Sequence, residues 1–181
     1  MDTKIGDGDH GVTMLRAVNK ADASLASGKH TTIKGVIDDV AWIFMGIDGG
    51  ATGPMYGSLF LGMTDVLSDQ QTLDGPALAS VFEAGLAYLQ KQSKAKIGDK
   101  TMMDALIPAV AAMRKAADQG KSIEEMLQAA AEAAEKGAIS TKDMIARVGR
   151  AKNQGERTIG TQDPGATSTS LIFQGFRDGL K

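Results

Sequence analysis

Cysteine is absent from the 181 residues, which removes disulfides, thiolate metal sites and thiol nucleophiles together. An excess of basic charge is also missing. Lysine and arginine total 20 against 22 for aspartate and glutamate, so there is no basic field of the kind that recruits nucleic acid or an anionic membrane. The N-terminus lacks a basic stretch followed by an apolar run, and no segment approaches the roughly 20 apolar residues that span a bilayer. These absences, with no disulfide framework to protect, lead to the expectation of a soluble cytoplasmic protein. Period-two alternation is missing too, leaving no convincing strand. The Walker A pattern GxxxxGK[ST] occurs nowhere, and Gly98-Asp99-Lys100-Thr101 resembles only its end.

Helical periodicity fills the space these absences leave. Leu78, Val81, Phe82, Gly85, Leu86 and Leu89 share one helical face, as do Met103, Leu106, Ile107, Val110 and Met113. Ser122 followed by Glu125 makes a capping box, with Gly137 as the expected stop of its helix. The pattern predicts helices over 11–27, 33–47, 55–68, 76–91, 100–118, 123–136, 141–148 and 166–179. With 43% hydrophobic residues and short connections, the chain reads as one all-α domain over 1–181, a bundle or closed ring of helices.

Three connections carry more glycine, aspartate and hydroxyl residues than a helix corner requires: Asp2 to Gly11, Gly46 to Gly57, and Gly149 to Gly165. In the first, Asp2, Asp7 and Asp9 place three carboxylates within eight residues, a cluster that repels itself without a cation. Oxygen ligands without sulfur favour Mg²⁺ or Ca²⁺ over zinc. A calcium loop starting at Asp7 would need glycine at its sixth position and glutamate at its twelfth, and the chain has Val12 and Val18 there. The plainer alternative is a solvated acidic turn capping the next helix.

Gly49-Gly50-Ala51-Thr52-Gly53 presents consecutive backbone amides beside a hydroxyl ahead of a helix, equipment for a phosphate as much as for a close-packed corner. Asp163-Pro164-Gly165 has the form of a helix start, with Asp163 as cap and Pro164 at the first position. Arg150 and Arg157 lie in a connection long enough to fold over an anion as a lid, although loop arginines usually serve solubility alone. Carboxylates and phosphates repel one another unless divalent metal lies between them. Magnesium reconciles the two signals, as in phosphoryl-transfer sites.

The chain resembles the nucleotide-binding L subunit of bacterial dihydroxyacetone kinases, a domain that is also the C-terminal part of their ATP-dependent single-chain relatives. The carriers are Asp2 with Ile5-Gly6-Asp7-Gly8-Asp9-His10-Gly11, Gly49 to Pro54 with Tyr56-Gly57, Gly98 to Met102, and Gly155 to Gly160 with Asp163 to Ala166. The resemblance implies a barrel of about eight antiparallel helices. It implies metal ligands at Asp2, Asp7 and Asp9 for magnesium, as two ions, and ADP or ATP as the nucleotide. Phosphate-side positions fall on His10, Gly11, Thr13, Ala51 and Thr52, with Ser93 also among the nucleotide-binding positions. Met102 falls where adenine packs, and Arg150 with Asp163, Pro164 and Gly165 falls on the segment closing over the nucleotide. No protein nucleophile is implied. The terminal phosphoryl group would pass to dihydroxyacetone held on a separate K subunit. A phosphohistidine-carrying phosphotransferase subunit is a further partner in one version of the system, and a homodimer is left open.

The sequence departs from the family pattern at Thr52 in place of serine, Ser93 in place of glycine, Asn153 in place of an aromatic and Thr161 in place of histidine. The last two bear on lid closure. Family members carry a helix before the first aspartate, so a shortened chain with an apolar groove is expected. Two other functions fit part of the pattern: an ATP-dependent kinase component for another short ketose or sugar, and a non-catalytic helical module carrying an apolar ligand.

Overall fold

A computed structural model describes residues 8–180, all of whose regular elements are helical, as the sequence predicts. Seven α-helices occur among them: α1 (His10–Ala26), α2 (Ile33–Met45), α3 (Thr52–Thr64), α4 (Gly75–Gln92), α5 (Met103–Asp118), α6 (Ile123–Ser140) and α7 (Pro164–Asp178). Two 3-10 stretches, Thr141–Asp143 and Arg150–Thr158, lie between α6 and α7. No described helix is long and apolar enough to cross a membrane. The chain divides into two compact units, one holding His10–Lys94 and the other Asp9 with the chain from Ala95 onward.

In the first unit, α3 is buried along most of its length, with Tyr56, Leu59, Phe60 and Met63 in the core. Phe44 of α2 stacks at a tilt on Tyr56 and Phe60, with ring centroids 5.9 and 5.5 Å apart. A polar cluster ties α1 to α2. Asp39 accepts from the Ser24 hydroxyl, from Lys29 Nζ at 3.1 Å and from His30 Nε2 at 3.2 Å. The serine bond foremost, with Lys29 and His30 assisting against the effect of burial, holds the Asp39 carboxyl down at about 2. Thr32 caps α2 by accepting from Gly35 N–H at 3.1 Å. Val12, Leu15 and Val18 of α1 and Trp42 of α2 present an apolar surface to solvent.

In the second unit, α5 packs on α6, and α7 on both. Met103, Leu106, Val110, Met113, Met126, Ala130, Ala134 and Phe173 form its core. The expected capping box opens α6: Ser122 Oγ accepts from Glu125 N–H at 3.2 Å, and Glu125 accepts from Ser122 N–H at 2.9 Å. Gly137 does not end this helix, which continues to Ser140. Pro108 inside α5 removes the amide that would donate to the carbonyl of Asp104. Gly137 packs against that same carbonyl, where a β-carbon would overlap it and lie 2.9 Å from Ala105 Cα. The glycine is therefore a close-approach residue for α5 and α6. Gly137→Ala is expected to destabilise by about 1–3 kcal/mol through overpacking, measured by urea denaturation; a plain mid-helix glycine would instead gain up to about 1 kcal/mol on becoming alanine.

The helix expected over 141–148 is replaced by a single 3-10 turn, Thr141–Asp143, after which Met144 is extended. The amides that would continue it are donated elsewhere: Ala146 N–H to Thr158 Oγ1 at 3.0 Å and Arg147 N–H to the Asp99 carbonyl at 3.1 Å. The expected helix 100–118 begins only at Met103, because Gly98 to Met102 forms a turn in which Lys100 takes φ 61°. The expected helix 55–68 is displaced toward its start and runs from Thr52 to Thr64. Inside the Gly149 to Gly165 connection, Arg150–Thr158 coils as a 3-10 stretch kinked at Gly155.

Candidate functional site

Asp2 and Asp7, two of the three expected metal ligands, lie outside the described residues, while Asp9 lies within them. The Asp9 carboxylate is part-exposed and faces Arg150 Nη1 at 3.7 Å, so Asp9 and the expected lid arginine are neighbours within one unit. The Asp9 carboxylate is oxygen chemistry suited to magnesium, and the sequence places Asp2 and Asp7 close by in the chain.

In the first unit, the starts of α1 and α3 are joined. His10 Nδ1 hydrogen-bonds Thr52 Oγ1 at 3.0 Å, linking the first residues of the two helices. Thr13, one turn along α1, is 2% exposed and lies against Gly49. Gly49 has φ 138° and Gly50 φ 58°, and a β-carbon on Gly49 would collide with the Thr13 hydroxyl. The Gly49-Gly50 turn thus delivers the chain into α3 through Ala51, which occupies the cap position without a side-chain bond. The α3 start thereby offers helix N-terminal amides of the kind that hold phosphate oxygens. Gly11 is exposed with open space at its β position. Ser93 is the C-cap of α4, its N–H donating to Leu89 O.

In the second unit, the positions assigned to adenine and to the closing segment meet. Met102 is buried at the start of α5, and its backbone nitrogen and Cβ lie 3.4 Å from where a β-carbon of Gly165 would stand. Asp163 caps α7 by accepting from Ala166 N–H at 2.7 Å, with Pro164 in the first turn, as the helix-start reading of this tripeptide expects. Burial pushes the Asp163 carboxyl up to about 6, with repulsion from Asp104 adding to it and the Ala166 and Gly165 amides and Lys100 opposing it.

Behind these residues lies a buried polar assembly to which the sequence reading gives no role. Lys100, 2% exposed, donates from Nζ to the carbonyls of Thr141, Thr158 and Thr161 at 2.5, 2.8 and 2.6 Å. Burial draws its ammonium below the usual lysine range, with Asp163, Asp143 and Asp104 opposing that shift. Asp104, equally buried, accepts from Gly98 N–H at 2.6 Å and Thr101 N–H at 2.7 Å and so shapes the turn that carries Lys100. The sequence signal for this assembly is a charged pair four residues apart beside an apolar helix start.

Comparison with known proteins gives a consistent result. The "DAK2 domain" family model matches residues 4–178. The ADP-binding subunit DhaL of the PEP-dependent dihydroxyacetone kinase of Escherichia coli is 37% identical over 174 residues, covering 96% of this chain and 83% of that subunit. An L-erythrulose kinase of Pectobacterium atrosepticum is 35% identical over 179 residues, 96% of this chain but 30% of the relative. Among solved structures, the dihydroxyacetone kinase from C. freundii in complex with AMP-PNP and Mg²⁺ superposes with a TM-score of 0.73 at 26% identity, covering 98% of this chain and 29% of that one. The match along nearly its whole length, in sequence and in fold, shows that this chain belongs to the DAK2 domain family.

Proposed function

We propose that this chain is the nucleotide-binding subunit of a dihydroxyacetone kinase, a phosphotransferase that binds ADP or ATP with magnesium and passes the terminal phosphoryl group to dihydroxyacetone held on a separate K subunit. The observation that carries the reading is the joined start of α1 and α3, where His10, Thr13 and Thr52 surround the Gly49-Gly50 turn directly after the acidic segment. The near-full-length likeness to an ADP-binding subunit supports it.

In this reading Asp2, Asp7 and Asp9 hold the magnesium, as two ions, and the α3 amides with Thr52, Thr13 and His10 orient the phosphate oxygens. Bound magnesium supplies charge neutralisation between carboxylates and phosphates. Gly11 and Ala51 leave room for close backbone approach, Met102 offers the base an apolar contact, and Arg150 with Asp163, Pro164 and Gly165 closes the nucleotide in. Positioning and electrostatics then do the catalytic work, with no covalent protein intermediate. In the PEP-dependent mode the ADP would stay bound and be rephosphorylated in place by a phosphohistidine-carrying subunit, whose phosphoryl group then passes on to dihydroxyacetone; in the ATP-dependent mode the nucleotide would exchange.

The test is a reconstituted assay. Chain, K subunit, dihydroxyacetone, ATP, magnesium and the phosphohistidine-carrying subunit with its phosphoryl donor together are expected to yield dihydroxyacetone phosphate, with product lost when chain or magnesium is left out. No product from the complete mixture, with a K subunit active beside its own L partner, counts against the reading. The likeness to an L-erythrulose kinase favours one second reading, transfer to another short ketose, which replacing dihydroxyacetone by erythrulose in the same assay decides.

A further inference from the structure

The connection between α6 and α7 has two halves of different character. From Arg150 to Arg157 the side chains are mostly exposed, and glycines with positive φ stand at 149 and 155. From Thr158 onward the backbone is held. Thr158, wholly buried, accepts from Ala146 N–H and donates its hydroxyl to Gly155 O at 2.7 Å. Gly160 N–H donates to Lys142 O at 2.7 Å, and Asp163 N–H donates to Thr141 Oγ1 at 2.9 Å.

Three of the carbonyls at this root converge on one atom, Lys100 Nζ. An ammonium has three donors and no acceptor, so three carbonyls saturate it. A lysine needed only to fill space would be replaceable by any apolar side chain of its length. This one is buried with its charge and sits at φ 61°, a conformation that a non-glycine residue holds only when its surroundings require it. Thr141 precedes the exposed half, and Thr158 and Thr161 follow it, so a single side chain ties together both ends of the segment.

We propose that Lys100 is a positioning residue that roots the Arg150–Thr158 segment, fixing its two ends so that the exposed half swings as a lid on Gly149 and Gly155 while the base stays ordered. The proposal rests on the nucleotide-binding reading for what the lid covers, and on the geometry alone for the root. Lys100 itself touches neither phosphate nor metal in this account. It acts through the carbonyls of Thr141, Thr158 and Thr161 and, through them, on where Arg150 and Asp163 stand.

Hydrogen–deuterium exchange on the full chain, well below its melting transition, tests the root. Lys100→Met keeps most of the length of the side chain and removes the donors. Exchange in residues 150–163 is expected to rise about tenfold or more while α4 and the centre of α6 keep their protection. Mg-ADP is expected to leave the variant about tenfold faster, with little change in association rate. Should Lys100→Met fail to fold, Lys100→Gln, which keeps a terminal NH₂ with two donors but no charge, carries the same test, with a smaller rise in 150–163 expected. Unchanged exchange in 150–163, or an equal rise in every helix, overturns the proposal. An unmutated chain that does not bind Mg-ADP overturns the nucleotide reading instead, and exchange without nucleotide still decides the root.

Discussion

Asp104→Ala is expected to lower the stability of the chain by about 3 kcal/mol or more, the scale for breaking up a buried hydrogen-bonded charge. Both carboxylate oxygens are in use: one accepts from Gly98 N–H and the other from Thr101 N–H, inside a site 2% exposed. Alanine leaves both amides without their acceptor and removes a negative charge that favours the Lys100 ammonium. Asp104→Asn separates shape from hydrogen bonding. Its amide oxygen can serve one donor, but its NH₂ group then faces the other N–H, so asparagine should recover less than half of the loss. Urea denaturation with an unchanged m-value checks the effect. A loss under about 1 kcal/mol for the alanine variant, within the range of an ordinary neutral hydrogen bond, would show that the turn does not depend on this carboxylate.

The second large effect concerns binding. Asp7→Ala is expected to weaken Mg-nucleotide binding by about a hundredfold or more, because one fewer carboxylate leaves the cation underliganded between protein and polyphosphate. The melting temperature without nucleotide should barely change, since a metal-binding carboxylate has no folding role when its cation is absent. A variant that keeps the nucleotide-dependent rise in melting temperature of the unmutated chain would remove Asp7 from the metal site. Asp9→Ala is less clean as a probe, because Asp9 also faces Arg150.

The parts of the fold that were legible in the sequence are those decided within one helical turn. Ser122 with Glu125, and Asp163 with Pro164, announce their helices because the capping partners lie three residues away. The Gly49 to Thr52 corner was legible as an unusual glycine-rich turn ahead of a helix, but its closeness to Thr13 and His10 is a tertiary fact. Gly137 was misread as a stop because a close-approach glycine and a terminating glycine look the same until the neighbouring helix, with Pro108 and the Asp104 carbonyl, is in place.

The 141–148 stretch shows the opposite failure. Ile145 and Val148 stand at helical spacing, yet the Ala146 and Arg147 amides go to Thr158 and Asp99, acceptors distant in the chain. Lys100 was hidden for the same reason. Its partners are backbone carbonyls 41, 58 and 61 residues away, and a carbonyl leaves no mark in the sequence. Of the candidate site, the residue types and motif order were readable, whereas the assembly that holds Met102 and Asp163 in place was not.

The central claim is that carboxylates near the start of the chain and a nucleotide polyphosphate are joined through magnesium. Calorimetric titration of ADP into the unmutated chain, first stripped of any nucleotide it carries, once with magnesium and once with a chelator, tests it most directly. Saturable binding with magnesium that vanishes with the chelator is the predicted result; equal binding under both conditions, or none under either, would contradict it.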